Sequence, residues 1–297
     1  EPKGPLRMYI SIRDDIVLAT GFNRLDEGLR HYGLDAVELA VDRDYRVRAV
    51  SPDAGDFVKI DTDEGVEALQ AQCRSAGVRV SALLMPNNFN APDREVEIAW
   101  AVRTVHVAKE LGAPAVRIDA IMHGERDIPL EQRQEIVAAA IREILARTEG
   151  VPVDLGIENH GFQGNDPAFL TGLMDRVGSP RLGLTMDTGN FYWRGHPLDR
   201  VYAILEQFAP LAKHTHIKNI AYPEEMRNVE REIGYGYEQY VCPIPEGDID
   251  HARVVGLLKA AGYDRDLCLE DESLGKYSME ERRANIRAAV DYFRAML

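Results

Sequence analysis

Cysteine is scarce in this chain: Cys73, Cys242 and Cys268 are the only three among 297 residues, an odd number at wide, irregular spacing. That excludes a disulfide framework and a CxxC metal knuckle, and it suits a reducing, cytoplasmic setting. Positive charge is also in deficit. With 35 basic against 49 acidic residues the net charge is -14, which opposes binding to nucleic acid or to an anionic membrane surface. No apolar run approaches the roughly 18 to 20 residues of a membrane span, and Glu1 to Arg7 lacks the apolar core of a signal segment. Residues 1–7 read as an N-terminal remnant or extension, outside a folded domain spanning residues 8–297. Absent too are any GxxxxGK[ST] loop and a GxGxxG turn after the first strand, in the stretch Ser11 to Gly21. Those absences speak against P-loop and dinucleotide folds. No Ser/Pro/Gly-rich linker divides the chain, so one domain is expected.

What is present is a regular alternation of short apolar runs with longer amphipathic stretches. The runs predict strands over Met8–Ile12, Ala36–Ala40, Val78–Leu84, Ala115–Asp119, Val153–Glu158, Leu182–Asp187, Lys213–Ile217 and Leu267–Glu270. Helices are predicted between them, as over Glu131–Arg147, where Ile136, Ala140, Ile141, Ile144 and Leu145 form one apolar face. Several end in a stop glycine, among them Gly77, Gly112 and Gly262. Strand–helix units with no antiparallel hairpin signal predict an α/β fold, a single-domain (β/α)8 TIM barrel. A long insertion, residues 219–248, follows strand seven.

Four apolar runs in the second half end in a charged or imidazole side chain: Glu158, Asp187, His216 and Glu270. The spacing is 29 residues from 158 to 187 and 29 again from 187 to 216, about one strand–helix unit, which sets these side chains at one height. In a barrel that end of the strands carries the active site. Three carboxylates and one imidazole brought together are costly without a cation, so a divalent metal is expected at Glu158, Asp187, His216 and Glu270. The oxygen-rich donor set favours Mn2+ and admits Mg2+, Co2+ or Zn2+. His214 shares a strand face with His216 and is an alternative ligand.

The runs Gly156-Ile157-Glu158-Asn159-His160, Met186-Asp187-Thr188-Gly189-Asn190, His216-Ile217-Lys218-Asn219, Glu246-Gly247-Asp248-Ile249-Asp250 and Leu269-Glu270 resemble the sugar phosphate isomerase/epimerase superfamily, the xylose isomerase-like TIM barrels (AP endonuclease family 2). The resemblance covers most of the chain and is sharpest over residues 153–272. It implies that Glu158, Asp187, His216 and Glu270 bind one divalent metal and that Glu158 and Glu270 flank the substrate carbon to be deprotonated. Asn190 stands where ketose 3-epimerases of the family often carry histidine. That departure, with the missing Asp-x-His pair after His216, also speaks against a trinuclear apurinic-site endonuclease.

The expected activity is a metal-dependent sugar isomerase or epimerase acting on a sugar or keto-sugar through an enediolate. A lyase or dehydratase eliminating from a 3-keto sugar or glycoside shares that intermediate, and a non-catalytic carbohydrate-binding barrel is a third reading. The partner expected is a small-molecule sugar, with no nucleic acid and no membrane, and self-association is left open. Substrate contacts are expected from His160, Asn190, Lys218, Arg117 and Trp193. Three of these have a plainer alternative: His160 orienting a ligand, Lys218 neutralising the carboxylates, and Arg117, like Glu38, plugging the barrel core. Tyr222, Tyr235, Tyr237 and Tyr240 make the insertion either a lid with rings for a sugar or a subunit contact. Trp100 is expected in the core.

Overall fold

The computed structural model describes residues 8–51 and 56–297. The N-terminal remnant or extension expected at residues 1–7 lies outside them. Eight parallel strands form the central sheet: β1 (Tyr9–Arg13), β2 (Ala36–Ala40), β3 (Arg79–Leu84), β4 (Ala115–Ile118), β5 (Asp154–Glu158), β6 (Leu182–Asp187), β7 (Ala212–His216) and β8 (Asp266–Leu269). Their order is β8-β1-β2-β3-β4-β5-β6-β7. The two ends meet through a bridge between Ile217 and Leu269, where Ile217 N–H donates to Cys268 O at 2.8 Å and Glu270 N–H to Ile217 O at 3.0 Å. Lower down, the Thr215 hydroxyl donates to Asp266 O at 3.0 Å and accepts from Cys268 N–H at 3.1 Å. A side chain thus supplies part of the ladder that closes the barrel, which is the TIM barrel the strand count predicts.

The helices cover the outside. Those at Asp63–Ala76 and Arg94–Leu111 stop where Gly77 and Gly112 take left-handed φ values of 66° and 73°, a conformation a β-carbon disfavours. Trp100 is buried beneath the guanidinium of Arg43. The last helix, Met279–Arg294, starts with a capping box between Ser278 and Glu281 and buries Ile286, Ala289, Val290 and Phe293. Its arginines donate to the first unit, Arg282 to Ala19 O at 3.0 Å and Arg283 to Thr20 O at 2.9 Å, fastening the chain's end to its beginning. Among the described residues no helix is long and apolar enough to cross a membrane.

Two antiparallel ribbons depart from the all-parallel expectation: Arg46–Arg48 with Phe57–Lys59, and Asn219–Ile220 with Val241–Cys242. Each pairs strands of two or three residues. Runs that short leave little period-two signal in a sequence. Both stand in loops that follow strand C-terminal ends, on the face where the charged strand ends emerge.

The segment 219–248 is a packed excursion. The Asn219 amide donates to Ile244 O and Ile249 O at 2.9 and 3.0 Å and accepts from Ile249 N–H at 3.0 Å. Gly247 lies against that amide so closely that a β-carbon there would sit 2.1 Å from Asn219 Cγ. Asp248 accepts from Tyr222 N–H and from the Tyr192 hydroxyl at 2.8 and 2.9 Å. Tyr222 is therefore buried inside the insertion, its ring and that of Tyr192 flanking the Arg231 guanidinium at 4.4 and 4.5 Å. This corrects its expected place as a ring open to a sugar. Lys276 holds the segment down, donating to Gln239 O and Val241 O at 2.8 and 2.7 Å.

Candidate functional site

Glu158, Asp187, His216 and Glu270 converge, as their spacing predicts: one donor atom from each lies within 4.8 Å of the others, and all four side chains are buried. Strand alternation carries them in, and neighbouring side chains aim them. The Asn159 amide ties two strand ends together, accepting from Asp187 N–H at 2.7 Å and donating to Asp187 O at 2.9 Å. Asp187 Oδ1 then accepts the N–H groups of Gly189 and Asn190, both at 2.8 Å, which turns Oδ2 toward the centre.

His216 is oriented from behind. Its Nε2–H donates to Glu38, 3.0 Å from Oε2, and Nδ1 faces Glu158 Oε1 at 3.4 Å and Glu270 Oε2 at 3.5 Å. Glu38 also accepts from His214 Nε2 at 2.7 Å, and His214 Nδ1 stands 2.8 Å from Asp266. His214 thus faces away from the cluster, and His216 is the imidazole that enters it. Glu38 plugs the barrel, as one reading of the sequence has it, and joins two histidines to do so.

Each glutamate has its own arginine. Arg117, from β4, pairs with Glu158 and also donates to Asp119 Oδ2 at 2.5 Å and to Met85 O at 3.0 Å. Arg13, at the end of β1, pairs with Glu270 and with Asp15. Lys218 Nζ lies 3.1 Å from Asp187, 3.3 Å from Glu270 and 3.0 Å from Glu272. Asn190 Nδ2 donates to Glu158 Oε1 at 3.2 Å.

The electrostatics follow from these contacts. Burial pushes the Glu158 carboxyl upward, but Arg117 and His216 override it and hold Glu158 well below the usual carboxylate range. Glu270 is held low against burial by His216, Lys218 and Arg13. Asp187 goes the other way: burial raises it well above its usual range, and the charges of Glu270 and Glu158 outlast the relief from Lys218. Asp187 Oδ2, Glu270 Oε2 and His216 Nδ1 make no hydrogen bond although all are buried. Two buried carboxylate oxygens that the Lys218 ammonium opposes from 3.1 and 3.3 Å, and one buried imidazole nitrogen, are donors of the kind a hard or borderline divalent cation takes up. These four residues could hold one.

A cavity of about 360 Å3 opens above, lined by Glu158, Glu270, Arg117, Lys218 and His160 with Arg13, Asp119 and Glu272. His160, half exposed, has Nδ1 2.9 Å from Asp119 Oδ1, which raises its imidazole above the usual value against the effect of burial. Asn190 sits below the rim, and Tyr237 reaches it with its hydroxyl on Glu272. Trp193 is not among the side chains lining the cavity, and it packs toward the insertion, with Nε1 3.4 Å from where a β-carbon on Gly234 would be. The helical turn Asn190–Trp193 that follows Asp187 carries Trp193 to that neighbour.

Sequence reasoning passed over Arg13, Asp119 and Glu272. Arg13 carried a usable signal, since Ile10-Ser11-Ile12-Arg13 is an apolar run ending in charge, as at Glu158. Asp119 and Glu272 follow strand ends where acidic residues are common, and only the fold puts them beside Arg117 and Lys218.

A family model described as the xylose isomerase-like TIM barrel matches residues 27–296. Among solved structures, the IolI protein with a bound zinc atom is 19% identical at a TM-score of 0.72, covering 98% of this chain and 99% of that one. An L-ribulose 3-epimerase is 17% identical at 0.66, covering 98% and 94%. A xylose isomerase-like TIM-barrel protein from Mycobacterium smegmatis in complex with magnesium is 16% identical at 0.65, covering 95% and 97%. At such identities the likeness is one of fold. No curated protein matches the chain.

Proposed function

The chain belongs to the xylose isomerase-like TIM-barrel family, and from that premise we propose that it is a divalent-metal-dependent isomerase or epimerase acting on a sugar or keto-sugar through an enediolate. One observation carries the reading: the buried donors of Glu158, Asp187, His216 and Glu270 converge, three of them without hydrogen bonds, below a polar cavity. These residues would hold one divalent cation, Mn2+ in this reading. Zinc in the IolI structure and magnesium in the M. smegmatis structure support a divalent ion. When bound, such an ion supplies the positive charge that stabilises an enediolate.

The rest belongs to the chain. Arg117 and His216 keep Glu158 ionised, and His216, Lys218 and Arg13 keep Glu270 so; each therefore has an unprotonated carboxylate oxygen to receive the proton from the carbon next to a carbonyl. Because they come from strand ends three strands apart, one can remove a proton and the other return it, to the opposite face in epimerisation or to the neighbouring carbon in isomerisation. Lys218, amid Asp187, Glu270 and Glu272, holds down the summed negative charge. His160, kept upright by Asp119, offers its other ring nitrogen to a substrate oxygen. Arg117, fully engaged by Glu158, Asp119 and Met85, positions Glu158 rather than grasping the sugar. Three free cysteines suit the reducing compartment in which sugar metabolism runs.

The test is incubation of the Mn2+-loaded protein with ketoses, aldoses and 3-keto glycosides in D2O, followed by proton NMR. Metal-dependent deuterium uptake next to a carbonyl is expected, and the product formed separates epimer, isomer and eliminated fragment. Absence of exchange with every sugar, at stoichiometric metal, overturns the enzymatic reading.

A further inference from the structure

Phe162, in the short helix Gly161–Gly164 that follows β5, stands among three arginines. The guanidinium carbons of Arg126, Arg133 and Arg194 lie 5.1, 5.3 and 5.2 Å from its ring centroid. A ring has two faces, so at least two of these cations share one. Carboxylates outnumber basic side chains 49 to 35 in this chain, yet among the described residues none pairs with any of the three. Burial and the neighbouring charge of Arg126 lower the Arg194 guanidinium below its usual value, against the pull of Asp166 and Glu230.

Arg133 is the most enclosed of the three. It is 7% exposed, and its Nε and Nη1 are buried with no hydrogen-bond partner. Arg231, equally buried, is treated differently by the fold: it donates to Tyr192 O, His196 O and Val229 O at 3.1, 2.9 and 3.0 Å. Contact with an aromatic face attracts a guanidinium but makes none of its N–H bonds, so the donor edges stay available. Such edges on one buried, one half-buried and one exposed arginine suit an anion that enters from solvent. A neutral hydroxyl leaves three like charges uncompensated, and a carboxylate compensates a single one. A phosphate dianion compensates two and offers the oxygens that guanidinium groups grip through paired N–H bonds.

The arginines border the cavity over Glu158 and Glu270. Met122 and His123 line that cavity and precede Arg126 in the loop after β4, and His160 lines it and precedes Phe162 in the loop after β5. Two residues of chain reach about 7 Å at most, which bounds the distance from His160 Cα to Phe162 Cα. Gln163 Nε2 donates to Ile121 O at 2.8 Å and ties the two loops together.

We propose that Arg126, Arg133 and Arg194 form a binding site for a phosphate group at the rim of the cavity. The site stands whether or not the carboxylates carry out enediolate chemistry. Two sources share its ligand chemistry, a phosphorylated sugar and inorganic phosphate, and the experiment separates them. The full chain, metal-free so that no ion in the carboxylate cluster competes for the anion, is melted with increasing inorganic phosphate at constant ionic strength. Phosphate is expected to raise the melting temperature with an apparent dissociation constant of about 1 mM or below, and acetate to raise it less than half as much. Arg133→Met and Arg126→Gln should each weaken phosphate at least about tenfold, the effect of one charge-assisted hydrogen bond. Arg74→Gln, exposed at the opposite end of the barrel, should not. Arg133→Met, relieved of an unpaired buried charge, should melt no lower than wild type without phosphate, and Arg126, an exposed side chain, gives a variant whose folding is not at stake. Fructose 6-phosphate and ribulose 5-phosphate, each beside its free ketose, then assign the source. Binding at least about tenfold tighter than both the free ketose and inorganic phosphate, lost in Arg126→Gln, makes the phosphate the substrate's own, and affinity no better than that of inorganic phosphate makes it a free ion. No stabilisation by phosphate, equal stabilisation by acetate, or a response undiminished in both arginine variants would overturn the site.

Discussion

His216 gives its Nε2–H to Glu38 at 3.0 Å, and this one bond decides that Nδ1 is the nitrogen presented to Glu158 and Glu270. Glu38 is needed as a carboxylate, because it accepts from His214 as well and has nothing to donate to. Glu38→Ala is expected to weaken Mn2+ binding about 10- to 100-fold, the usual cost of losing a group that orients a metal ligand. Titration calorimetry on folded protein checks it. An unchanged affinity would mean that packing alone holds the imidazole.

Glu158→Gln and Glu270→Gln test proton transfer. Each amide keeps the shape and one oxygen but cannot take a proton, so deuterium exchange should fall about 10²- to 10⁴-fold in either variant. Retained turnover on the true substrate in both variants would sink the assignment.

Arg117 joins Glu158 to Asp119 within the barrel, and nothing else among the described residues offers Glu158 a full positive charge as close. Arg117→Met leaves buried Glu158 with only His216 and the Asn190 amide beside it, and buried Asp119 with His160. The expected loss is about 3 kcal/mol of unfolding free energy in urea, and Mn2+ at a large excess over its dissociation constant should return part of it. A loss under about 1 kcal/mol would show that the pair contributes little.

His251 provides the pH dependence. Fully buried, with Nε2 3.3 Å from Thr188 Oγ1, it is depressed by burial to about 4. In the unfolded chain an imidazole titrates near 6.5, so this group's stability is present above about pH 6.5 and is lost as pH falls toward 4. The loss amounts to about 2 to 3 kcal/mol by pH 4.5. Denaturation curves at pH 7 and pH 4.5 should show a smaller acid-induced drop in His251→Gln. An equal drop in both proteins would assign the acid sensitivity to other groups.

Much of this architecture was legible because local rules and the fold agree. Ala36–Ala40 and Leu182–Asp187 are strands as read, and the helix expected over Glu131–Arg147 runs from Leu130 to Arg147. The cluster was legible for a related reason: a strand that ends in a charge declares which end faces the mouth, and equal 29-residue intervals declare equal height. Trp193 shows where this stops, since proximity to Asp187 along the chain says nothing about the turn that carries its ring to Gly234. Tyr222 shows it again, because an exposed loop and a packed one can have the same composition.

The order of apolar and amphipathic runs determined the barrel by itself, as did the four polar strand ends that share one height, since both are periodic properties of a single chain. Which charges meet across the barrel was decided only by closure. Arg13 reaches Glu270 and Glu38 reaches His216 because β1 lies between β8 and β2 and the lumen is narrow enough for side chains from distant strands to touch. Those pairings span 257 and 178 residues of sequence, far beyond any local pattern, and they set the protonation of the glutamates and the orientation of the imidazole.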